Sequence, residues 1–403
     1  MCIFSAFIIN FGSSSLQYSS IFKEGSLFRA TMRVAVGMSG GVDSAVAAWL
    51  LKKRGFNVTG VYMINWDHVE EGSVTCPRTK DEADARRVCE KLDIPFTTVN
   101  FVKEYWNEVF IKMVDNYRRG RTVVPDIACN SRIKFEHLHH YVIENLGADF
   151  IATGHYASTS LGDFQEKRET GSGIRLLCGR DPLKDQTYFL CTLRQEQLRR
   201  AMFPIGSLTK TKVRQIARQQ GLDEVADKAE SMGICFVGKR KDFEGFIDQY
   251  IEPRTGKILT VDGKYIGQHE GVHHFTLGKR IAIQGCHLGY FVAKINAASN
   301  IVYACEGSYH PCLYATDFCV QEPQWIERNP LLGVDEAVLE CRIQRIHPPV
   351  TCLLRRINRD HLSVRPAIPL RAVADGQTCV FYSNKECLGG SEVQWVTSTL
   401  QYS

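Results

Sequence analysis

Residues Val34 to Ser44 read V-A-V-G-M-S-G-G-V-D-S and continue directly into the alanine-rich segment Ala45 to Arg54. The apolar triplet Val34 to Val36 predicts a buried strand, and the apolar run from Ala45 to Leu51 predicts a helix packed on it. Glycines between them let the backbone approach a ligand, and the first turn of the helix directs its N–H groups at an anion. The stretch therefore predicts a nucleotide-binding α/β fold.

The loop offers the hydroxyls of Ser39 and Ser44 but lacks the lysine of a Walker A motif. No charge is then aimed at a terminal phosphoryl group, so release of pyrophosphate from a nucleotide is a better interpretation than kinase or motor chemistry. A glycine-rich turn that binds no ligand is the alternative for this stretch alone.

Length and composition indicate several domains and no disulfide framework. The 403 residues suffice for two or three domains, and the net charge of +5 permits an RNA partner without arguing for one. Fifteen cysteines are scattered without a C-x-x-C pair, which predicts reduced thiols in a protein that is not secreted. No stretch approaches the roughly 20 apolar residues that span a bilayer.

The first 31 residues are rich in Ser and Phe and carry a single acidic residue, Glu24. This composition favours an organellar transit segment, although two basic residues are few for one. A secretory signal built on Ile3 to Ile9 and a protein that starts at Met32 are the alternatives.

Strand and helix patterns alternate from Met32 to about Ala157, which is typical of a parallel sheet with crossover helices. Ligands bind at the carboxyl ends of such strands, so Met63 and Gly154 should face the Ser39 to Ser44 loop across one crevice. The predicted strands are 58–63, 95–101 and 149–153, and the predicted helices are 81–92, 131–146, 193–202 and 210–220. Short strands beyond Phe236 predict antiparallel β-structure that ends in a small barrel or sandwich.

Histidines do not indicate a metal site. The pair His273-His274 and the group at 137, 139 and 140 lack partners at ligand spacing, so structural roles are predicted. The helices at 193–202 and 210–220 carry basic outer faces that suit either solvent or a substrate with phosphates.

Two cysteines are candidate nucleophiles. Cys129 stands directly before a predicted helix and near Arg118, Arg119, Arg121 and Arg132, a setting that would depress the pKa of its thiol. Asp126 could exchange a proton with the same substrate. Cys235 lies where the domain pattern changes; a buried structural role is the alternative for both cysteines.

The loop Ser39 to Ser44 resembles the PP-loop of enzymes that split ATP into AMP and pyrophosphate. Further motifs in the same order narrow the resemblance to the tRNA-specific 2-thiouridylases, the mitochondrial type in particular, over about Met32 to Val396. These motifs are Gly60 to Trp66, Glu104 to Trp106, Gly120 to Thr122, Pro125-Asp126, Cys129-Asn130, Ala152 to Tyr156, Lys184 to Thr187 and Ser231 to Phe236.

The resemblance implies an α/β architecture: a parallel-sheet, Rossmann-like PP-loop catalytic domain (32–230), a small central tRNA-binding domain (231–312) and a C-terminal antiparallel β-barrel (313–398). Residues 1–31 would be a transit segment or a non-native extension. The protein would be a mitochondrial monomer, or a cytoplasmic one if that segment does not target it.

The resemblance also implies the chemistry. With ATP and Mg²⁺, the enzyme would adenylate the C2 oxygen of the wobble uridine of a tRNA. Cys235 would carry a persulfide from a sulfur-donor protein. Cys129 would resolve it, either leaving a Cys129–Cys235 disulfide or releasing sulfide. Asp126 would act as acid or base beside the flipped uridine.

The resemblance assigns two sets of binding residues. The ATP site would comprise Gly37, Met38, Ser39, Gly40, Gly41, Val42, Asp43, Ser44, Met63 and Gly154. The tRNA contacts would be Val124, Pro125, Asp126, Lys184, Asp185, Gln186 and Arg345. The chain departs from the family at Val124, where an Asn is usual, and at Ile346 to Pro348, where an aromatic-basic run is usual.

Two competing functions remain open at this point. Another PP-loop activity, such as amidation of a small molecule, would need neither Cys129 nor Cys235. An RNA-binding protein without turnover would not need Asp43, Ser44 and Asp126, all of which are present.

Overall fold

The computed structural model describes residues 31–66, 77–167, 173–229, 243–283 and 287–401. The candidate nucleophile Cys235 and the proposed transit segment up to residue 30 lie outside these ranges.

Strands and helices are numbered in chain order within the described residues. The strands are β1 Arg33–Met38, β2 Asn57–Ile64, β3 Phe96–Asn100, β4 Phe150–Ala152, β5 Ala157–Thr159, β6 Leu176–Cys178, β7 Ala201–Met202, β8 Gly256–Thr260, β9 Tyr265–His269, β10 Arg280–Ile281, β11 Tyr290–Asn296, β12 Ile301–Glu306, β13 Tyr314–Gln321, β14 Gln324–Trp325, β15 Glu336–Arg342, β16 Val350–Arg356, β17 His361–Pro366, β18 Leu370–Arg371, β19 Thr378–Ser383 and β20 Glu386–Thr399.

Two of the helices contain a π-helical stretch. The helices are α1 Val42–Lys53, α2 Pro77–Lys91, α3 (Val102–Tyr105, π-helical Trp106–Phe110, Ile111–Arg118), α4 (Pro125–Ala128, π-helical Cys129–Leu138, His139–Glu144), α5 Gln195–Leu198, α6 Lys210–Gln219, α7 Asp223–Ala226 and α8 Phe243–Ile247. Short 3₁₀ turns cover Thr187–Leu190, Val272–His274 and Pro311–Leu313.

The predicted parallel sheet is confirmed, with strand order β3-β2-β1-β4-β7. The chain runs outward from β1 to β3 and then returns to place β4 on the other side of β1. This reversal of strand order lies between β1 and β4, which is where ligands bind in open α/β sheets. The alanines of α1 are fully buried, so the helix lies close to the sheet and its N-terminus is held at the end of β1.

The helix predicted at 193–202 is wrong in its second half. Only Gln195–Leu198 is helical, and the chain then enters β7, the fifth strand of the sheet. Ala201, Met202 and Phe203 form a short, fully buried apolar run, which suits a strand covered on both faces. The outward-facing helix expected to carry the basic residues of this region is therefore much shorter.

The remaining chain forms two β-units. Strands β10-β11-β12-β8-β9 form a central sheet that is antiparallel except for the parallel pair β8–β12. Strands β13, β17, β16, β15, β19 and β20 form an antiparallel sheet that closes into a barrel through the pairing of β13 with β20. The predicted C-terminal barrel is thus confirmed.

The hairpin β5–β6, which follows the parallel sheet in sequence, pairs with β20 of the barrel. The N-terminal and C-terminal units therefore share hydrogen-bonded structure. Among the described residues, no helix is long and apolar enough to cross a membrane.

Candidate active site

The loop after β1 is shaped by its glycines. Gly40 has a φ of 69°, and a side chain there would clash with the backbone of Asp81. The N–H of Ser39 donates to Ser44 Oγ at 3.2 Å, and Ser44 Oγ donates to the carbonyl of Gly41 at 3.1 Å. No side chain caps the start of α1, so its first N–H groups point at the concave side of the loop.

Asp43 in the first turn of α1 accepts three hydrogen bonds. Lys210 Nζ lies 2.7 Å from Oδ2 and 2.9 Å from Oδ1, and the hydroxyl of Tyr156 donates to Oδ1 at 2.8 Å. Lys210 is the first residue of α6 and its side chain is only 12% exposed. The sequence predicted Lys210 on a basic helix face suited to solvent or to a substrate with phosphates, and the structure places its side chain at Asp43, beside the Ser39 to Ser44 loop.

A second lysine, Lys228, contacts the backbone of the loop at Gly40. Lys228 Nζ donates to the carbonyl of Gly40 at 3.0 Å and pairs with Asp81 at 2.6 Å and Asp84 at 2.7 Å. Burial opposes the charge on Lys228, but the hydrogen bonds to the two carboxylates outweigh it and raise its pKa. The loop is therefore held by a charged network before any ligand binds.

Gly154 and Met63 border the same crevice. A Cβ at Gly154 would lie 2.7 Å from both the carbonyl carbon of Asp43 and the backbone nitrogen of Ser44, so only glycine allows the end of β4 to approach α1. Met63, near the end of β2, is half-buried. Two residues later, Asn65 Oδ1 is buried and has no hydrogen-bond partner among the described residues. A buried acceptor of this kind is normally satisfied, so Asn65 is a candidate ligand contact.

The helix that carries the candidate nucleophile begins earlier than predicted. It starts at Pro125, after Val124 in an extended conformation, and not at Ser131. Proline is favoured at the first position of a helix because its missing N–H needs no partner there. Cys129 is therefore in the second turn, and the expectation that it stands directly before the helix is wrong. Asp126 lies one turn before Cys129, on the same side of the helix.

The predicted cationic cluster around Cys129 is also different. Arg118 pairs with Asp115 at 2.6 Å, Arg132 pairs with Glu136 at 3.6 Å, and Arg121 pairs with Glu392. The charges of these three arginines are compensated by carboxylates, of which only Glu392 is distant in sequence.

Lys134 is a cation of α4 that acts on Asp126 and on His155. Burial raises the pKa of Asp126, and the charge of Lys134 offsets part of that rise. Burial, and then the same lysine, hold the pKa of His155 well below 6.5, so His155 is neutral. Lys134 Nζ donates to Asn130 Oδ1 at 2.8 Å. One lysine thus acts electrostatically on both Asp126 and the residue after Gly154, which links the helix α4 to the edge of the phosphate loop.

The chain matches three consecutive family models. Residues 32–239 match the tRNA methyl transferase HUP domain, residues 244–306 the tRNA methyl transferase PRC-barrel domain, and residues 315–393 the Aminomethyltransferase beta-barrel domain. The chain is 56% identical over 374 residues to the probable mitochondrial tRNA-specific 2-thiouridylase 1 of Caenorhabditis elegans, covering 91% of this chain and all of that relative.

Two further relatives are also named as tRNA-specific 2-thiouridylases. Identity to the mitochondrial tRNA-specific 2-thiouridylase 1 of Homo sapiens is 42%, with 91% of each chain covered. Identity to the tRNA-specific 2-thiouridylase MnmA of Salmonella typhimurium is 41%, with 90% of this chain and 96% of that relative covered. The chain belongs to the tRNA-specific 2-thiouridylase family. The resemblance inferred from its motifs is confirmed.

In this 2-thiouridylase family member, the segment that precedes α4 contacts both β-units. The N–H of Thr122 donates to the carbonyl of Asp375 at 2.8 Å, and Arg121 pairs with Glu392 on β20. Gly120, at a φ of 69°, packs against Ile295 of the central sheet. The start of α4, with Val124, Pro125 and Asp126, is therefore positioned by all three parts of the chain.

The residues assigned to tRNA contact differ in accessibility. Asp185 is buried, where it accepts from Gly179 N at 2.9 Å and pairs with Arg342 at 3.4 Å. Gln186 Oε1 accepts from the N–H of Tyr156 at 3.0 Å. Lys184 is half-buried, and its neighbour Leu183 accepts a 2.9 Å hydrogen bond from Arg345 on the loop after β15.

The turn at Lys184 and the loop carrying Arg345 therefore lie side by side, although they belong to different domains. Direct contact of these residues with tRNA stays a prediction.

The pair His273-His274 does have a partner. Both Nε2 atoms lie 2.7 Å from the same oxygen of Asp248, a residue too far away in sequence for a spacing motif to reveal. The expectation that these histidines lack a ligand-type partner is wrong.

Proposed function

We propose that this chain is an ATP-dependent tRNA sulfurtransferase that converts the C2 carbonyl of a wobble uridine to a thiocarbonyl. The observation that carries this proposal is that Asp126 and Cys129 lie one turn apart on α4, and that Lys134 of the same helix acts electrostatically both on Asp126 and on His155, the residue after Gly154. An ATP site and a thiol with an adjacent carboxyl are what adenylation followed by sulfur transfer requires.

The loop fits the triphosphate of ATP. Gly40 in a left-handed conformation, the uncapped start of α1 and the hydroxyls of Ser39 and Ser44 together form a concave set of donors. Asn65 could satisfy its buried oxygen on the amino group of adenine. Residues Gly37 to Ser44, Met63 and Gly154 would line this site.

The loop offers fewer candidate ligands for Mg²⁺ than it offers donors for phosphate. Asp43 is the carboxylate of the loop, and Lys210 and Tyr156 occupy its oxygens. Mg²⁺ bound to the ATP phosphates would neutralise part of their charge. Lys210 is poised to exchange its contact with Asp43 for a phosphate oxygen.

In the first step the C2 oxygen of uridine attacks the α-phosphorus of ATP, and the bond to the β-phosphate breaks to release pyrophosphate. The uridine then carries AMP as a leaving group. Asp126 would hold or release a proton at the base during this step, because burial raises its pKa towards the range where it can do both.

In the second step the terminal sulfur of a persulfide on Cys235 attacks C2, and the C2–O bond breaks to release AMP. If Cys129 then attacks the inner sulfur of Cys235, the thiocarbonyl is freed and a Cys129–Cys235 disulfide forms. Reduction of this disulfide before the next turnover takes two electrons from a thiol reductant. If Cys129 attacks before the uridine reacts, it forms the same disulfide and releases sulfide as the nucleophile.

The partners follow from this chemistry. They are a tRNA with a wobble uridine, bound by Val124, Pro125, Asp126, the Lys184 to Gln186 turn and Arg345, and a protein that delivers the persulfide. Both animal relatives named above are mitochondrial by name, so we assign this chain to mitochondria. That it acts as a monomer stays a prediction.

The proposal is tested with purified protein, ATP, Mg²⁺, a small-molecule persulfide such as glutathione persulfide, a thiol reductant and transcribed tRNAs with uridine at the wobble position. Mass spectrometry of the digested RNA should detect 2-thiouridine only when ATP is present. Folded protein that binds ATP and tRNA but yields no 2-thiouridine would contradict the proposal.

A further inference from the structure

A cluster of metal-binding side chains lies where the central sheet joins the barrel, far in sequence from the residues of the active site. The segment Cys305 to Cys312 reads C-E-G-S-Y-H-P-C and contains two cysteines and a histidine. Cys305 Sγ, Cys312 Sγ and a ring nitrogen of His310 all lie within 4.8 Å of one another. His310 Nδ1 and Cys312 Sγ lie 3.0 Å apart.

Local backbone geometry brings these three side chains together. Cys305 is near the end of β12, and Gly307, at a φ of 82°, turns the chain back. His310 precedes Pro311 and the 3₁₀ turn Pro311–Leu313, and its Nδ1 accepts from the N–H of Cys312 at 3.3 Å. Nδ1 therefore lies beside Cys312, and to bind an ion its lone pair would exchange this weak hydrogen bond for the metal.

The cluster is partly accessible. Cys305 is 1% exposed, whereas His310 and Cys312 are only half-buried. An ion could thus enter from the side of the 3₁₀ turn and reach a buried thiol behind it. Two thiolates and an imidazole, with a fourth position open to water, form a donor set suited to Zn²⁺.

We propose that Cys305, His310 and Cys312 bind one Zn²⁺ ion that fastens the connection between the central sheet and the barrel. Binding replaces the thiol protons, which leave to solvent, and involves no change of oxidation state.

The ion would reinforce an existing contact. Arg371 at the end of β18 donates to the carbonyl of Ser308 at 3.2 Å and to the carbonyl of Gly278 at 3.2 Å. The connecting segment is thus already held between the barrel and the central unit. A metal at Cys305, His310 and Cys312 would fix its two ends to each other.

Two other clusters in the described residues serve as controls. At Asp248, both His273 and His274 already bond to one carboxylate oxygen, and the donor set lacks sulfur. Cys341, Cys352 and Cys379 lie close together in the barrel core, but all are at most 1% exposed, which leaves an ion no route of entry.

The test uses the full chain, purified anaerobically with a reductant, stripped with a chelator, loaded with Zn²⁺ and desalted. Elemental analysis should find a zinc equivalent that Cys312→Ser and His310→Ala each lose, while Cys352→Ser, His274→Ala and Cys129→Ser retain it. Cobalt in place of zinc should give thiolate-to-metal charge-transfer absorption that disappears in Cys312→Ser. Circular dichroism verifies that the variants are folded, and His310→Ala, at a half-buried position, covers the case in which a cysteine variant is not.

Several results would overturn the proposal. These are zinc content unchanged in both Cys312→Ser and His310→Ala, zinc lost in a control variant but kept in these two, and a Cys305–Cys312 disulfide in the anaerobic protein. Because the readouts are metal content and absorption, the outcome is independent of the thiolation assay.

Discussion

At the scale of single residues, the pKa of the candidate acid or base depends on burial more than on the charged neighbours that the sequence suggested. Asp126 has a raised pKa because it is buried, and Lys134 limits that rise. Three of the four arginines expected to activate Cys129, namely Arg118, Arg121 and Arg132, are paired with carboxylates. A lysine eight positions after Asp126 was overlooked because nothing in the local sequence indicates that its side chain turns inward.

Replacing Asp126 by Asn should lower the thiolation activity but raise the stability of the fold at neutral pH. We expect thiolation to fall by at least about 100-fold, the lower end of what a general acid or base contributes. A carboxyl whose pKa is raised by folding stabilises the fold at low pH, and this contribution is lost as the pH rises through the folded-state pKa. The Asn variant should therefore equal the parent in stability near pH 3.8 and exceed it at neutral pH.

Denaturant unfolding across this pH range measures the effect. A variant that is less stable than the parent at neutral pH would show that ionised Asp126 is stabilised in the fold, contrary to its burial.

Replacing Cys129 by Ser should abolish 2-thiouridine formation yet retain tRNA-dependent release of pyrophosphate, because adenylation precedes sulfur transfer. Cys178→Ser, at a half-buried thiol on β6, is the matched control and should keep both activities. Pyrophosphate and nucleoside analysis on the same samples provide the two readouts. Parallel loss of both in Cys129→Ser would assign Cys129 to adenylation or to structure.

At the scale of elements, strongly patterned segments were predictable and their ends were not. The strand, loop and helix around residues 33–53 follow directly from the apolar runs and glycines. The start of α4 was missed because Pro125 was interpreted as part of an irregular segment, although proline is favoured at the first helical position. Strand β7 was missed because its two residues are identifiable only by their burial and their pairing with β4.

Replacing Gly154 by Ala tests the close approach of β4 to α1. The added methyl would lie 2.7 Å from backbone atoms of Asp43 and Ser44, and relief of that overlap must move the loop. We expect the affinity for ATP to fall on the order of tenfold, equivalent to about 1.4 kcal/mol.

The matched control is Gly267→Ala in β9, where the nearest side-chain atom, in Ile283, would be 3.4 Å away. ATP titrations of the two variants give the comparison. Equal affinity in Gly154→Ala and the parent would show that the loop adapts and that glycine is not required at this position.

At the scale of the whole molecule, contacts between domains converge on the predicted tRNA surface. The segment before α4 is held by the central sheet and the barrel, and Arg345 of the barrel reaches the turn beside Lys184. The family resemblance indicated both the turn at Lys184 and the residue Arg345 as tRNA contacts. It could not indicate that they adjoin, because that depends on the pairing of β6 with β20.

Replacing Arg345 by Ala should weaken tRNA binding and lower the magnitude of its salt dependence by roughly one unit of log affinity per log salt, as expected for one lost phosphate contact. The KM for ATP should not change. Arg355→Ala removes the same charge from an exposed, Glu336-paired position on β16 and should leave the salt dependence intact. Equal salt dependence in both variants and the parent would exclude Arg345 from the tRNA interface.

The central claim is that the C2 oxygen of uridine attacks ATP and departs on AMP when sulfur replaces it. The most direct measurement uses a tRNA that carries ¹⁸O at C2 of the wobble uridine, followed by mass spectrometry of the AMP. The account predicts one ¹⁸O atom in AMP for each 2-thiouridine formed. Unlabelled AMP accompanying 2-thiouridine would contradict adenylation of the base.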